Sequence, residues 1–505
     1  MSPSARDLVQ RGLYHRQAWV RAATVLGVCL ALALPVGAVL GVLGGLYGSA
    51  TLVALVAAYL MLRSLLAGLV MVVAIICLLP FAALPVNIGF SPTLLDLALV
   101  GVYFVWISRI VALKDRTFLA DAPTLGVLVF AALALASFLL GLAHARVTAN
   151  VLRHFAEVLM SILLFVLVLN AVRTEAHLRL LILALIACGF VAALVGIVLY
   201  ALPENLTVRL LSTLRVVRYP SGSDVLRYIE DDPELPLRAT STSIDPNVLG
   251  GMLIFVATLT AAQAFSPRPI LPRGALVAML ATNALCMLLT FSRGSFAGLA
   301  AAIALLGLLR HRRLLWMGAL ALALLLLLPP AQAYVQHFIE GVRGDDLATQ
   351  MRFGEYKDAL ILIGRYPSFG VGFAGAPDID TYLGVSNVYL LIAEEMGLVG
   401  LAAFLATLFA FLGRFVGQLR RPAASPLLDA TLLGTCLAVV GGMVGGALDH
   451  YLFNLDFPHA AALMWLVVAL GVVAMRLADA ERSRQLGAAD AAPPLSAPPA
   501  PGGPA

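Results

Sequence analysis

Four short polar stretches interrupt an otherwise strongly apolar chain. The first is Arg238-Ala239-Thr240-Ser241-Thr242-Ser243-Ile244-Asp245-Pro246-Asn247. Asp245, Pro246 and Asn247 together make a helix start, with Asp245 as its cap. Such a start turns backbone N–H groups outward, which favours an anion, and Arg238 stands close by. The second is Ser292-Arg293-Gly294-Ser295, where small neighbours leave one guanidinium room to approach a ligand. An isolated arginine of this kind also snorkels to lipid headgroups. The third is Ser386-Asn387-Val388-Tyr389-Leu390, followed by Glu394 and Glu395. Carboxylates that far into an apolar run need a partner or water, and a buried hydrogen bond that fixes packing is their simpler role. The fourth is Asp449-His450-Tyr451, with Asn454, Asp456 and His459 close behind. Asp449 and His450 can form an acid/base pair, since histidine titrates near neutral pH. A polar turn at a membrane interface would use the same residues.

Arginine forks bind phosphate oxygens in pairs, so the arginines point to recognition of a phosphate-bearing lipid. The histidines lack a third partner at a metal-ligand spacing, and no metal is expected. No Walker, Rossmann or DxD motif stands at a plausible place, so neither a cofactor nor a cytoplasmic nucleotide is expected.

The elements that carry these stretches are set by composition. Of 505 residues, 61% are apolar and 12% charged, and mean hydropathy is +0.97. Apolar runs of about 18 residues or more recur along the chain, the length a helix needs to cross a bilayer. The expected fold is therefore all-α and polytopic, with about 12–14 transmembrane helices. Of the runs at 22–43, 47–62 and 65–83, the second and third are short, flanked by Gly44, Gly45 and Arg63, and also fit one bent helix or a re-entrant pair. The five cysteines each sit in an apolar run without CxxC spacing, which reads as small buried hydrophobes.

Most of the 33 basic residues fall in short connections on one side of this threading, beginning with Arg6, Arg11, Arg16 and Arg21. The positive-inside bias puts both termini in the cytoplasm and the four polar stretches outside. The division that follows is an N-terminal bundle over 1–201, an external segment 202–246, spans within 247–334, a second external segment 335–387, spans within 388–477, and a disordered cytoplasmic tail 478–505. Within the second segment, an amphipathic helix is expected from Asp346 to Gly364. Phe353, Tyr356, Leu360 and Ile363 would share its apolar face, with Arg352 and Glu355 on another.

Several of these residues form a pattern. Thr290-Phe291-Ser292-Arg293-Gly294, Arg352, Pro367-Ser368-Phe369-Gly370-Val371-Gly372 and Ser386-Asn387-Val388-Tyr389-Leu390 with Gly397-Leu398-Val399-Gly400 resemble the O-antigen ligase and polymerase family in order and spacing. The core of the resemblance covers about 275–410, and the Arg238–Asn247 stretch is similar to what many members carry before it. The resemblance implies a bacterial inner-membrane enzyme acting at the periplasmic face. It moves a polyprenyl-diphosphate-linked glycan onto the hydroxyl of a glycan or lipid acceptor, without metal or nucleotide, in exopolysaccharide, O-antigen or lipopolysaccharide assembly. Carried over by motif, Arg293 and Arg352 are the diphosphate ligands and Arg238 a third, with Asn247, Asn387 and Tyr389 lining the substrate site. One departure matters. Lipopolysaccharide ligases of the family carry a histidine before the asparagine, and that position is Ser386 here. This favours a polymerase at least as much as a ligase, and leaves His450 or Asp449 to supply a base. A transporter or flippase of lipid-linked glycans is the other class. It would place ionisable groups at the midplane, usually with inverted repeats, whereas here the charges gather at span ends.

Overall fold

The computed structural model describes the chain apart from residues 1–4, 16, 88, 113–117, 144–145, 328–346, 376–383, 422–424 and 491–505. Among the described residues every regular element is helical, and two isolated bridges are the only β pairing. The chain divides into two compact units, 1–67 and 68–505.

The first unit contains α1 (Ala5–Leu13) and α2 (Ala18–Arg63). The bent helix joins 22–43 to 47–62 rather than 47–62 to 65–83: the first two are one helical run broken at Gly44, where φ is 76°, and extended Ser64 ends it before 65–83. α3 (Leu65–Leu78) begins at the division and ends before the expected residue 83.

In the second unit follow α4 (Leu94–Val111), α5 (Ala122–Gly141), α6 (Ala149–Ala171), α7 (Glu175–Ala201) and the short α8 (Glu204–Ser212). Next come α9 (Pro246–Ala264), α10 (Arg273–Leu289), α11 (Arg293–Leu309), α12 (Arg313–Leu327) and α13 (Leu347–Arg365). The chain closes with α14 (Val388–Leu419), α15 (Pro426–Gly446) and α16 (Pro458–Asp490). Among the described residues, nine helices are long and apolar enough to cross a membrane, and shorter apolar helices such as α10 and α11 stand beside them. This is a polytopic all-α membrane protein, as its composition requires.

Side-chain caps start many of these helices. Thr93, Asp121, Thr148, Thr174, Asp245, Ser292 and Asn387 each accept a backbone N–H from the first turn. Near hydrocarbon no water is available to satisfy those donors, so the caps do. The central helices α9, α15 and α16 are mostly buried. Glycines let the elements approach closely: a Cβ on Gly298 of α11 would lie 2.5 Å from the Gly441 carbonyl oxygen of α15, and one on Gly251 of α9 2.3 Å from the Tyr451 ring in the α15–α16 connection. Apolar lipid offers no hydrophobic drive between helices, so close backbone approach is what holds them. Phe130 adds ring contacts at 5.5 Å to Phe404, 5.6 Å to Phe453 and 5.8 Å to Trp465, tying α5 to α14 and α16.

The segment 202–246 is ordered. Its Leu211 and Val225 pack with Leu199 at the end of α7. Its backbone joins the α3–α4 connection, where Ala83 N–H donates to Val217 O (2.8 Å), and the end of α10, where Leu289 O accepts from Ala239 N–H (2.8 Å).

The second segment is described only in part, since 335–346 and 376–383 lie outside the described residues, including the expected cap Asp346. Its helix, α13, forms as expected but turns differently. Phe353 and Leu360 are 56% and 60% exposed, whereas Ala359 and Leu362 are fully buried. The inward line thus runs through Glu355, Ala359 and Leu362. Lipid is as apolar as a core, so an apolar stripe does not say which side faces the protein. Polar contacts decided it.

The opposite end of the bundle collects arginine pairs. Arg310 binds Asp429 through two hydrogen bonds, one of 2.7 Å, and Arg414 pairs with Asp121. Arg476 donates to Leu169 O at 2.7 Å and Val172 O at 2.5 Å, closing the end of α6.

Candidate functional site

The site is built where α9, α11 and α14 begin and α15 ends. α10 stops at Leu289, Phe291 takes a left-handed turn (φ 53°), and Ser292 caps α11. That turn presents Arg293 in the first turn of α11, where its Nη1 donates to Thr349 Oγ1 of α13 at 3.3 Å. Arg238 braces the same turn from below. Its Nε donates to Thr290 O at 2.8 Å and its Nη2 to Asn247 Oδ1 at 2.7 Å. Asp245 caps α9 by accepting from the N–H groups of Asn247 (2.7 Å) and Val248 (3.0 Å).

Arg352 stands one turn along α13 from Thr349, half-buried, with no hydrogen bond or salt bridge to a described residue. It lies within electrostatic reach of Asp449 and Tyr356. Next to it, Glu355 Oε2 accepts the Ser386 N–H at 2.9 Å, and Tyr356 OH donates to Ser386 O at 3.4 Å. Burial raises the Tyr356 phenol above its ordinary value, so it stays protonated and able to donate.

Asn387 and Tyr389 are committed within the fold. Asn387 Oδ1 caps α14 through Tyr389 N–H (2.9 Å) and Leu390 N–H (3.1 Å), while its Nδ2 donates to Ala447 O at 2.8 Å. Tyr389 OH donates to Met443 O at 2.6 Å. Together these bonds clamp the start of α14 against the end of α15, and Val388 N–H reaches Asp449 O at 3.0 Å. Asp449 is 6% exposed, and its Oδ1 accepts the His450 backbone N–H at 2.8 Å. The His450 ring nitrogen Nδ1 is 3.7 Å from that oxygen, too long for a hydrogen bond, so the two side chains do not form a bonded dyad. Burial raises the Asp449 carboxyl above its ordinary value, against the opposing pull of His450 and Arg352.

A break in α14 fixes the depth of this arrangement. Gly397 has φ 70°, a region that glycine alone enters freely, and a Cβ there would lie 2.2 Å from Ser368 O. The break frees the carbonyls of Glu394 and Glu395, which accept from Val371 N–H (2.9 Å) and Gly372 N–H (3.0 Å). Leu398 N–H then donates to Pro367 O at 2.7 Å. The Pro367–Gly372 stretch thus serves to satisfy an opened helix. Glu394 is fully buried and accepts the Gly384 N–H at 3.0 Å, in keeping with a packing role.

All four polar stretches therefore meet at one end of the bundle. Glu355 and Tyr356 join the site although the sequence did not mark them as site residues; the signal was the spacing of Glu355 three residues after Arg352, on the helix face the two were expected to share. A second cluster was also unread. Arg153 of α6, nearly buried, pairs with Asp96 and Glu157 at 2.9 Å each, and Thr93 Oγ1 donates to Glu157 at 2.9 Å, joining α4 to α6. Among the described residues, no three His, Cys, Asp or Glu side chains are grouped so as to hold a metal ion.

This geometry gathers arginines and polar caps at one end of a polytopic bundle, an arrangement suited to an anionic group. A family model described as O-antigen ligase matches residues 276–405, from α10 into α14. Over that stretch the chain is similar to the O-antigen ligase family, a likeness that indicates glycan transfer of the O-antigen ligase and polymerase type. It includes Arg293, Arg352, Glu355, Asn387 and Tyr389, while Arg238, Asn247, Asp449 and His450 lie outside it. A comparison with curated proteins found no match.

Proposed function

We propose that this protein transfers a polyprenyl-diphosphate-linked oligosaccharide to an acceptor hydroxyl at the periplasmic face of the bacterial inner membrane. Such a reaction takes its energy from the donor, whose lipid diphosphate is the leaving group. What the enzyme must supply is charge stabilisation on that group and orientation of the hydroxyl. Arg293 and Arg352 hold the diphosphate, and the observation that carries this reading is their meeting on α13: Arg293 bonds Thr349, one turn from Arg352, whose guanidinium has no hydrogen-bonded partner among the described residues.

Arg238 and Asn247 form the inner wall and support the turn that aims Arg293. Asn387 and Tyr389 shape the mouth through bonds already made in the fold. Asp449 is the buried anion that faces Arg352, and His450, expected from the sequence as one of two groups to supply a base, lies beside it with Nδ1 3.7 Å from its carboxylate. The arginine bias along the chain supports cytoplasmic termini and a periplasmic site.

Arg293→Ala and Arg352→Ala are each expected to abolish glycan transfer while the protein still inserts and accumulates. Lysine should rescue poorly, because a point charge lacks the paired donors of a guanidinium. The assay is purified protein in lipid with a polyprenyl-diphosphate repeat unit. Longer chains identify a polymerase, and transfer to a separate acceptor identifies a ligase. Full activity in both alanine variants overturns the diphosphate assignment, and movement of the lipid across the bilayer without transfer establishes a flippase instead.

A further inference from the structure

Transfer to a hydroxyl needs a group to take its proton, and the site holds several carboxylates of unequal use. Glu394 is fully buried and accepts a backbone N–H, which keeps it away from any substrate. Asp449 is buried and accepts the His450 N–H. His450 turns its Nδ1 inward, without a hydrogen-bond partner, and packs its ring 6.1 Å from that of Phe457. Glu355 differs from all three. It is half-buried and stands on the inward line of α13, one turn from Arg352. One carboxylate oxygen, Oε2, is held by the Ser386 N–H at 2.9 Å. Ser386 is itself locked from the other side by Tyr356 OH. The carboxylate is thus fixed in direction while keeping lone pairs to spare. It sits against the backbone of the position at which this chain carries serine.

We infer that Glu355 is the general base that accepts the proton of the acceptor hydroxyl. The inference rests on the arginine–diphosphate reading, because the base has to lie beside the group that leaves. In the step itself, the acceptor O–H bond breaks and its proton passes to the Glu355 carboxylate. The acceptor oxygen forms a bond to the anomeric carbon as the bond from that carbon to the phosphate oxygen breaks. The electron pair stays on the diphosphate, facing Arg293 and Arg352. Glu355 then returns its proton to water. The charged and titratable groups around it are Arg352 and Tyr356 on α13, Glu394 on α14 and, across Arg352, Asp449 on the α15–α16 connection.

The test uses full-length protein in lipid with the polyprenyl-diphosphate repeat unit as donor. In Glu355→Gln the amide oxygen can still accept the Ser386 N–H, so the hold on α14 survives while the base is removed. The expected result is a fall in kcat of about 100- to 10,000-fold with the donor KM unchanged. In the wild type, activity should drop on the acid side as a carboxylate is protonated, and that limb should vanish in Glu355→Gln. Glu355→Asp should restore part of the rate. A Glu355→Gln enzyme with kcat within a few-fold of the wild type overturns the inference and leaves the arginine reading intact. So does an acid limb that disappears in His450→Ala and persists in Glu355→Gln. A wild type that transfers no glycan overturns both.

Discussion

Asp449 shows how much at this site depends on a single buried charge. Its carboxyl is raised above the ordinary value, chiefly by burial. Between its unfolded and folded values such a group binds more protons folded than unfolded, so stability falls as pH rises through that window. Above the window the folded protein carries a charge that burial disfavours. The Asp449→Asn variant, whose amide oxygen can still accept the His450 N–H, should therefore unfold at a higher temperature than the wild type at neutral pH. The difference should shrink as pH falls through the window, as read by thermal unfolding in detergent over a pH series. Transfer should fall all the same, because Arg352 loses the anion that faces it. A variant less stable than the wild type at neutral pH would show that the charge contributes more through Arg352 than burial takes away.

At the scale of elements, the break in α14 is the feature on which the site is hung. Gly397 bends the helix, and the backbone groups it releases are satisfied by Pro367–Gly372, the stretch that follows α13 directly. This connection sets where α13, and hence Arg352 and Glu355, stands relative to Asn387. Alanine at 397 would have to hold a left-handed conformation, at a cost of about 1–3 kcal/mol. It would also meet Ser368 O at 2.2 Å. Gly397→Ala is expected to accumulate poorly and to lose transfer even in the fraction that folds, measured by size-exclusion yield and by activity per folded molecule. Normal yield and activity would mean that the Pro367–Gly372 contact does not position α13. The amphipathic pattern of α13 makes a related point. Its helix was legible from cap and stop signals, but its inward face was not, because both the neighbouring helices and lipid accept Phe353 and Leu360.

Seen whole, the bundle is asymmetric. One end gathers Arg238, Arg293, Arg352 and the caps of α9, α11 and α14; the other gathers the paired Arg310, Arg414 and Arg482 with Asp429, Asp121 and Asp479. Positive charge left in short connections tends to stay in the cytoplasm. Cysteine introduced at exposed Ser221 is expected to react with an impermeant thiol reagent in cells whose outer membrane alone has been permeabilised. Cysteine at exposed Ser483 should react only after the inner membrane is opened, with the parent protein as control for the native thiols. The reverse pattern would invert the protein and place its site in the cytoplasm.

By itself the sequence determined the membrane class, the helices and most of their starts. Hydropathy and capping are local, and in lipid each helix must satisfy its own backbone. It also carried the family resemblance, whose short motifs keep their order along the chain, most of them within the matched residues 276–405. Only the tertiary structure decided what those motifs do for one another. Asn387 and Tyr389 look like ligand-binding residues until Ala447 O and Met443 O are found at their polar atoms. Asp449 and His450 look like a dyad until the 3.7 Å between their side chains is measured. Glu355 looks like an ordinary surface glutamate until Ser386, 31 residues further on, is found holding it. Partners so far apart are brought together by helix crossing and by the opened turn of α14, and no local pattern of residues encodes that.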